Sequence, residues 1–112
     1  HELVAIVRKT FGVEAVLKIA LAPILPQLEQ AFVYGSIAKG NEHAGSDVDV
    51  MLVGDTLSYS EVMQLLEAAE LQLQRTVNPT IYTPEEFAQR LEQGQSFVTK
   101  VMEQETLDLL KD

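Results

Sequence analysis

The chain has no cysteine among its 112 residues. That absence removes disulfides, thiolate metal sites and cysteine nucleophiles together. Positive charge is scarce: eight Lys and Arg stand against 17 Asp and Glu, a formal net charge of −9. A sequence-independent grip on nucleic acid needs a basic face, so direct nucleic-acid binding is not expected. No apolar run approaches the roughly 18–20 residues that span a bilayer. The longest, Ile19 to Leu25, is interrupted by Pro23 and followed by Pro26, and no membrane association is expected. With no signal peptide in view, the cytoplasm is the default compartment. No Gly/Ser linker, repeat or low-complexity segment divides the sequence, and its length suits one domain, residues 1–112. Hydrophobic residues make up 46%, which suits a packed core. The first residue is His1 rather than Met, so a processed product or a fragment of a longer protein is expected. Residues 1–9 then read as a linker helix entering from a missing upstream region.

Periodicity supplies the elements. Thr10 is suited to cap a new helix whose apolar residues Val13, Val16, Leu17, Ala20 and Leu21 recur at helical spacing. Pro23 and Pro26 end or kink it. Ala31-Phe32-Val33-Tyr34, stopped by Gly35, reads as a buried strand. Ser36 to Gly40 fits one helical turn, and Asn41 to Ser46 a polar loop. Asp47 to Val53 alternates acid and apolar residues as a second strand. Ser58 or Ser60 caps a helix with Val62, Leu65, Leu66, Ala69 and Leu73 on its apolar face. Val77 to Tyr82 is a third strand, and its Pro79 predicts an edge position or a bulge. Thr83-Pro84-Glu85-Glu86 is a helix start, and Gly94 its end. Ser96 opens a last helix to about Glu103, and Thr106 to Leu110 fits a final short strand. Helices alternating with strands predict an α/β fold with a small mixed sheet.

The chemistry concentrates in two places. Asp47 and Asp49, two apart on a strand, share one face. Two like charges so close are unfavourable unless a cation lies between them. Mg²⁺ suits this, taking one or two carboxylates and completing its shell with phosphate oxygens and water. Val48 and Val50 then face the core. Gly35 ends the preceding strand and lets backbone N–H groups approach a ligand. Ser36 starts the next turn, where free N–H groups favour an anion, and Lys39 adds a positive charge one turn on. Alone, a Gly-Ser after a strand is usually a turn, and Asp-x-Asp a solvated strand face. Together, with Ser36 and Asp47 eleven residues apart, they point to a metal–nucleoside triphosphate.

Gly35-Ser36-x-Ala38-x-Gly40-x5-Ser46-Asp47-x-Asp49-x3-Val53 resembles the signature of minimal nucleotidyltransferase domains of the DNA polymerase beta-like superfamily. The resemblance covers Ala31 to Tyr82 directly. It implies transfer of a nucleoside monophosphate from a triphosphate to an acceptor hydroxyl, with release of pyrophosphate. It also implies the nucleotidyltransferase fold. Gly35, Ser36, Lys39 and Ser46 would then bind the nucleotide phosphates, and Asp47 and Asp49 would hold two Mg²⁺ ions. A third carboxylate belongs on the following strand, where the matching position here is Asn78. An amide cannot take a proton at neutral pH. Asp55 is the one nearby acid that could substitute, and otherwise reads as a turn residue.

Thr10-Phe11-Gly12 to Ala22-Pro23, with Tyr82 to Phe87, resembles a subgroup fused to an ArsR-like winged helix. Minimal nucleotidyltransferases are similar to antitoxins that modify a HEPN toxin, which implies a HEPN-type protein acceptor. The alternative is a catalytically impaired nucleotide-binding module regulating a DNA-binding domain. The sequence leaves a homodimer open. His43 reads as a solvent-exposed loop residue, Arg75 as a complement to a helix dipole, and Tyr82 and Phe87 as core. The many glutamates read as solvated helix faces.

Overall fold

The computed structural model describes residues 2–39 and 46–111, with side chains described over 12–38 and 46–111. Strands β1 (Gln30–Tyr34), β2 (Val48–Val53), β3 (Val77–Tyr82) and β4 (Leu107–Asp108) form one mixed sheet ordered β3-β2-β1-β4. β1 is antiparallel to both β2 and β4, whereas β2 and β3 run parallel. A parallel pair needs a crossover, supplied by α3 (Tyr59–Leu73). β3 is an edge strand, which accommodates the missing N–H of Pro79.

Each face of the sheet carries its own apolar cluster. Ala31, Val33, Val48, Val50, Leu52 and Val77 pack with Val13, Leu17 and Leu21 of α1 (Glu2–Leu21) and Val62, Leu66 and Ala69 of α3. On the other face, Phe32, Tyr34, Met51 and Val53 pack with Phe87 of α4 (Pro84–Glu92) and Val98 and Val101 of α5 (Ser96–Glu103). Both faces of β2 are therefore covered. Asp49 is the one residue of β2 that is not buried, and it marks where that cover stops.

Local signals place most element ends. Ser58, not Ser60, caps α3 through a bond from the Glu61 amide, and the Ser60 hydroxyl bonds Ser58 instead. Thr83 and Glu86 form a reciprocal capping box at α4. Three expectations are corrected. No second helix starts at Thr10: α1 runs unbroken from Glu2 to Leu21, because a residue suited to capping does not interrupt a helix without proline. As expected, α1 ends ahead of Pro23, which lies with Pro26 in a 3-10 turn, Ala22–Gln27. The last strand shrinks to Leu107–Asp108, the stretch paired with β1. β2 itself starts one residue late, leaving Asp47 immediately ahead of it.

Gly54 closes β2 in a buried position where a Cβ would collide with the Gln27 carbonyl oxygen and press on Leu57 Cγ at 3.0 Å. Gly54→Ala is expected to cost about 2 kcal/mol by overpacking, measurable by urea denaturation. The unchanged α1–α3 face should keep the variant folded.

Candidate active site

Asp47 and Asp49 flank Val48, and Val48 and Val50 are fully buried on the opposite face of the sheet. That burial fixes which way both carboxylates point, since side chains alternate along the backbone. Asp47 is exposed and Asp49 partly so. On the neighbouring strand, Asn78 is the register partner of Asp49, and its Nδ2 donates to Asp47 Oδ2 at 3.1 Å. Asp47 just ahead of β2, Asp49 in β2 and Asn78 in β3 thus meet at one end of the sheet. Burial pushes the Asp49 carboxyl above the usual carboxylate range, the Asn78 hydrogen bond opposes this, and the Asp47 charge adds to the rise. An acid whose affinity for protons rises on folding is a net cost once ionised. Burial is the main source of that cost, and the neighbouring Asp47 charge adds to it.

Gly35 lies directly after β1 with φ +81°, a left-handed conformation that favours glycine. A Cβ there would stand 2.6 Å from Asp49 Oδ2. Glycine thus provides room for the carboxylate as well as an open backbone. Ser36 opens the short helix α2 (Ser36–Lys39) and is exposed, while Ile37 and Ala38 are buried. Lys39 ends α2; its side chain, with Gly40 and His43, lies outside the described residues.

Ser46 meets Arg75, whose Nη1 donates to the Ser46 carbonyl at 3.0 Å. Arg75 is thus more than a complement to a helix dipole. It follows the left-handed C-cap Gln74 of α3 and ties the turn before β3 to the segment entering β2. The Val48 amide donates to the Thr76 carbonyl at 2.8 Å, and the Val77 amide to Glu70 Oε2 at 2.8 Å. These bonds set Asp47 against Asn78. No sequence spacing announces the Arg75–Ser46 contact, because its partners come together only when β2 and β3 pair. Thr80 lies two residues on from Asn78 in β3. Its Oγ1 shares a 3.2 Å hydrogen bond with the Tyr34 hydroxyl. Asp55 does not substitute for a third carboxylate. It is exposed beyond the far end of β2, six residues from Asp49 and about 20 Å along the strand direction. Phe87 is core as expected, whereas Tyr82 is half-buried with the Arg90 guanidinium 4.9 Å above its ring.

Among the described residues no group of three or more His, Cys, Asp or Glu is placed to hold a metal. The donors at the site are two carboxylates and one amide. That set fits Mg²⁺ where phosphate and water oxygens complete the shell, and does not make an all-protein cage.

The geometry agrees with a comparison of the whole chain. Residues 19–104 match the family model described as Polymerase beta, Nucleotidyltransferase. The chain belongs to this nucleotidyltransferase family. Gly35, Ser36, Asp47, Asp49 and Asn78 all lie within the matched segment.

Three solved structures share the fold of this nucleotidyltransferase. A toxin–antitoxin complex with AMP-PNP superposes with a TM-score of 0.61 at 20% identity, over 86% of this chain and 71% of that one. A mutant of the toxin–antitoxin MntA–HpeT, with two aspartates two positions apart changed to glutamate, gives 0.61 at 18%, over 86% and 71%. A protein from Sulfolobus solfataricus described as a putative nucleotidyltransferase gives 0.50 at 18%, over 75% and 78%. No curated protein sequence gives a significant match. No described helix of this nucleotidyltransferase is long and apolar enough to cross a membrane.

Proposed function

We propose that this domain binds a Mg²⁺–nucleoside triphosphate and transfers its nucleoside monophosphate to a hydroxyl of a partner protein, breaking the bond between the α- and β-phosphates and releasing pyrophosphate. The observation that carries the reading is the convergence of Asp47 and Asp49 on one sheet face against Gly35, with only an amide beside them. In this reading Asp47 and Asp49 hold the metal, two ions when the triphosphate is complete. Gly35, Ser36, Lys39 and Ser46 are the residues assigned to bind the phosphates. The metal, when bound, makes the attacking oxygen a better nucleophile and offsets charge on the leaving one. The AMP-PNP in a structural neighbour supports a triphosphate ligand, and the toxin–antitoxin pairing of two neighbours supports a protein acceptor. A HEPN-type partner is the acceptor that fits the resemblance.

One observation favours a second reading. Asn78 occupies the place beside Asp49 where a third carboxylate belongs, and it donates to Asp47 rather than accepting a proton. The domain is then a nucleotide-dependent regulatory module, attached to a DNA-binding winged helix, that binds without transferring. Both readings require the acid pair.

Calorimetric titration of MgATP is expected to show binding that needs Mg²⁺ and is lost in Asp47→Asn/Asp49→Asn. The variant should melt no lower than the parent, because it removes like charges from a partly buried site. Equal affinity in the variant, or binding that ignores Mg²⁺, would sink both readings.

A further inference from the structure

The geometry points to Phe97 as the platform on which the base of the bound nucleotide stacks, with Tyr34 as its support. This rests on the triphosphate reading of the Gly35–Asp49 site. Tyr34 is opposite Asp49 in the β1–β2 pair, on the sheet face that carries the acids. Its hydroxyl is held by Thr80, fixing the ring beside the carboxylate. The Phe97 ring meets it edge to face, centroids 6.0 Å apart and planes at 72°. Phe97 is nevertheless 43% exposed, although an aromatic ring gains from burial. Its neighbours on α5, Val98 and Val101, are buried. Exposed apolar surface therefore sits one ring away from Asp49.

Tyr59, more exposed at 65%, starts α3 beyond the other end of β2. It has no such relation to the acids. A protein docking face needs about 800 Å² on each partner, far more than one ring offers. A nucleobase needs only a flat apolar surface within a nucleoside's reach of the phosphates, and its own triphosphate holds it there. The polar groups of the support, Tyr34 Oη and Thr80 Oγ1, are bonded to each other. Recognition is then by stacking rather than by base edges, so ATP and GTP bind alike and the larger purines bind better than CTP or UTP.

The test uses calorimetry with Mg²⁺ and ATP, GTP, CTP, UTP or inorganic tripolyphosphate. Phe97→Ala is expected to weaken ATP and GTP about tenfold while leaving tripolyphosphate unchanged. Phe97→Leu, apolar but unable to stack, should not restore the loss. Phe97→Trp should restore it, and as the lone tryptophan of the chain its emission should respond to ATP but not to tripolyphosphate. Melting temperatures within the range of the parent confirm that each variant is folded. Unchanged ATP affinity in Phe97→Ala, rescue by leucine, or an equal loss for tripolyphosphate would overturn the inference while leaving the triphosphate site intact. If the parent binds neither tripolyphosphate nor any nucleotide, the triphosphate reading itself fails and this one with it.

Discussion

Gly35→Ala is expected to abolish Mg²⁺-dependent nucleotide binding and to destabilise the domain by about 2–5 kcal/mol. Two costs combine. An alanine held at φ +81° sits in the left-handed region, worth roughly 1–2 kcal/mol. Its Cβ would also stand 2.6 Å from Asp49 Oδ2, an overpacking contact worth roughly 1–3 kcal/mol. The second cost falls on the site. To relieve it, Asp49 must swing away from Gly35, or the turn must move and carry Ser36 with it. Either movement separates the acid pair from the phosphate-facing turn. Calorimetry and urea denaturation read the two effects separately. Asp49→Asn keeps a side chain of the same size in the same place and avoids the backbone strain. A folded Asp49→Asn without binding and a weakened Gly35→Ala without binding would together show that Gly35 serves both conformation and clearance. Full affinity in Gly35→Ala would mean that the ligand does not use this turn.

The same residue shows what the sequence revealed and what it did not. A glycine after the β-forming residues Phe32, Val33 and Tyr34 is a local signal, and it places the end of β1 correctly. That the glycine clears a carboxylate on the next strand is not local, since Gly35 and Asp49 meet only through strand pairing. The pattern holds across the domain. The ends of α4 follow from Thr83-Pro84 and Gly94, and β3 from a β-rich run ended by the Thr83 cap, because those signals act within a few residues. The Asp47–Asp49 pair was legible because strand alternation alone puts both on one face. Arg75 was not: its bond to Ser46 spans 29 positions and depends on how β2 and β3 align. Asp55 was misjudged as a candidate for the same reason, since closeness in sequence along an extended strand means distance in space.

Asn78→Asp is expected to raise nucleotidyl transfer by about 100-fold or more, the range over which a positioned proton acceptor acts. The new carboxylate would stand beside Asp49 in register and within reach of Asp47. It would replace a donor with an acceptor and so remove the hydrogen bond that now holds Asp47. Three acids in one cluster repel, so the variant should melt lower than the parent without Mg²⁺ and regain stability as Mg²⁺ and triphosphate are added. This coupling separates a rebuilt site from a damaged one. Pyrophosphate release from MgATP, together with nucleotide labelled at the α-phosphate on a candidate partner, measures transfer directly. Near-zero release by the parent with a large gain in Asn78→Asp favours the regulatory reading, in which the amide silences a site that still binds. Robust release by the parent, little changed by the substitution, excludes that reading and means that Asp47 and Asp49 suffice. Loss of release in a variant that still binds MgATP would instead show the Asn78 amide to be required as a donor to Asp47.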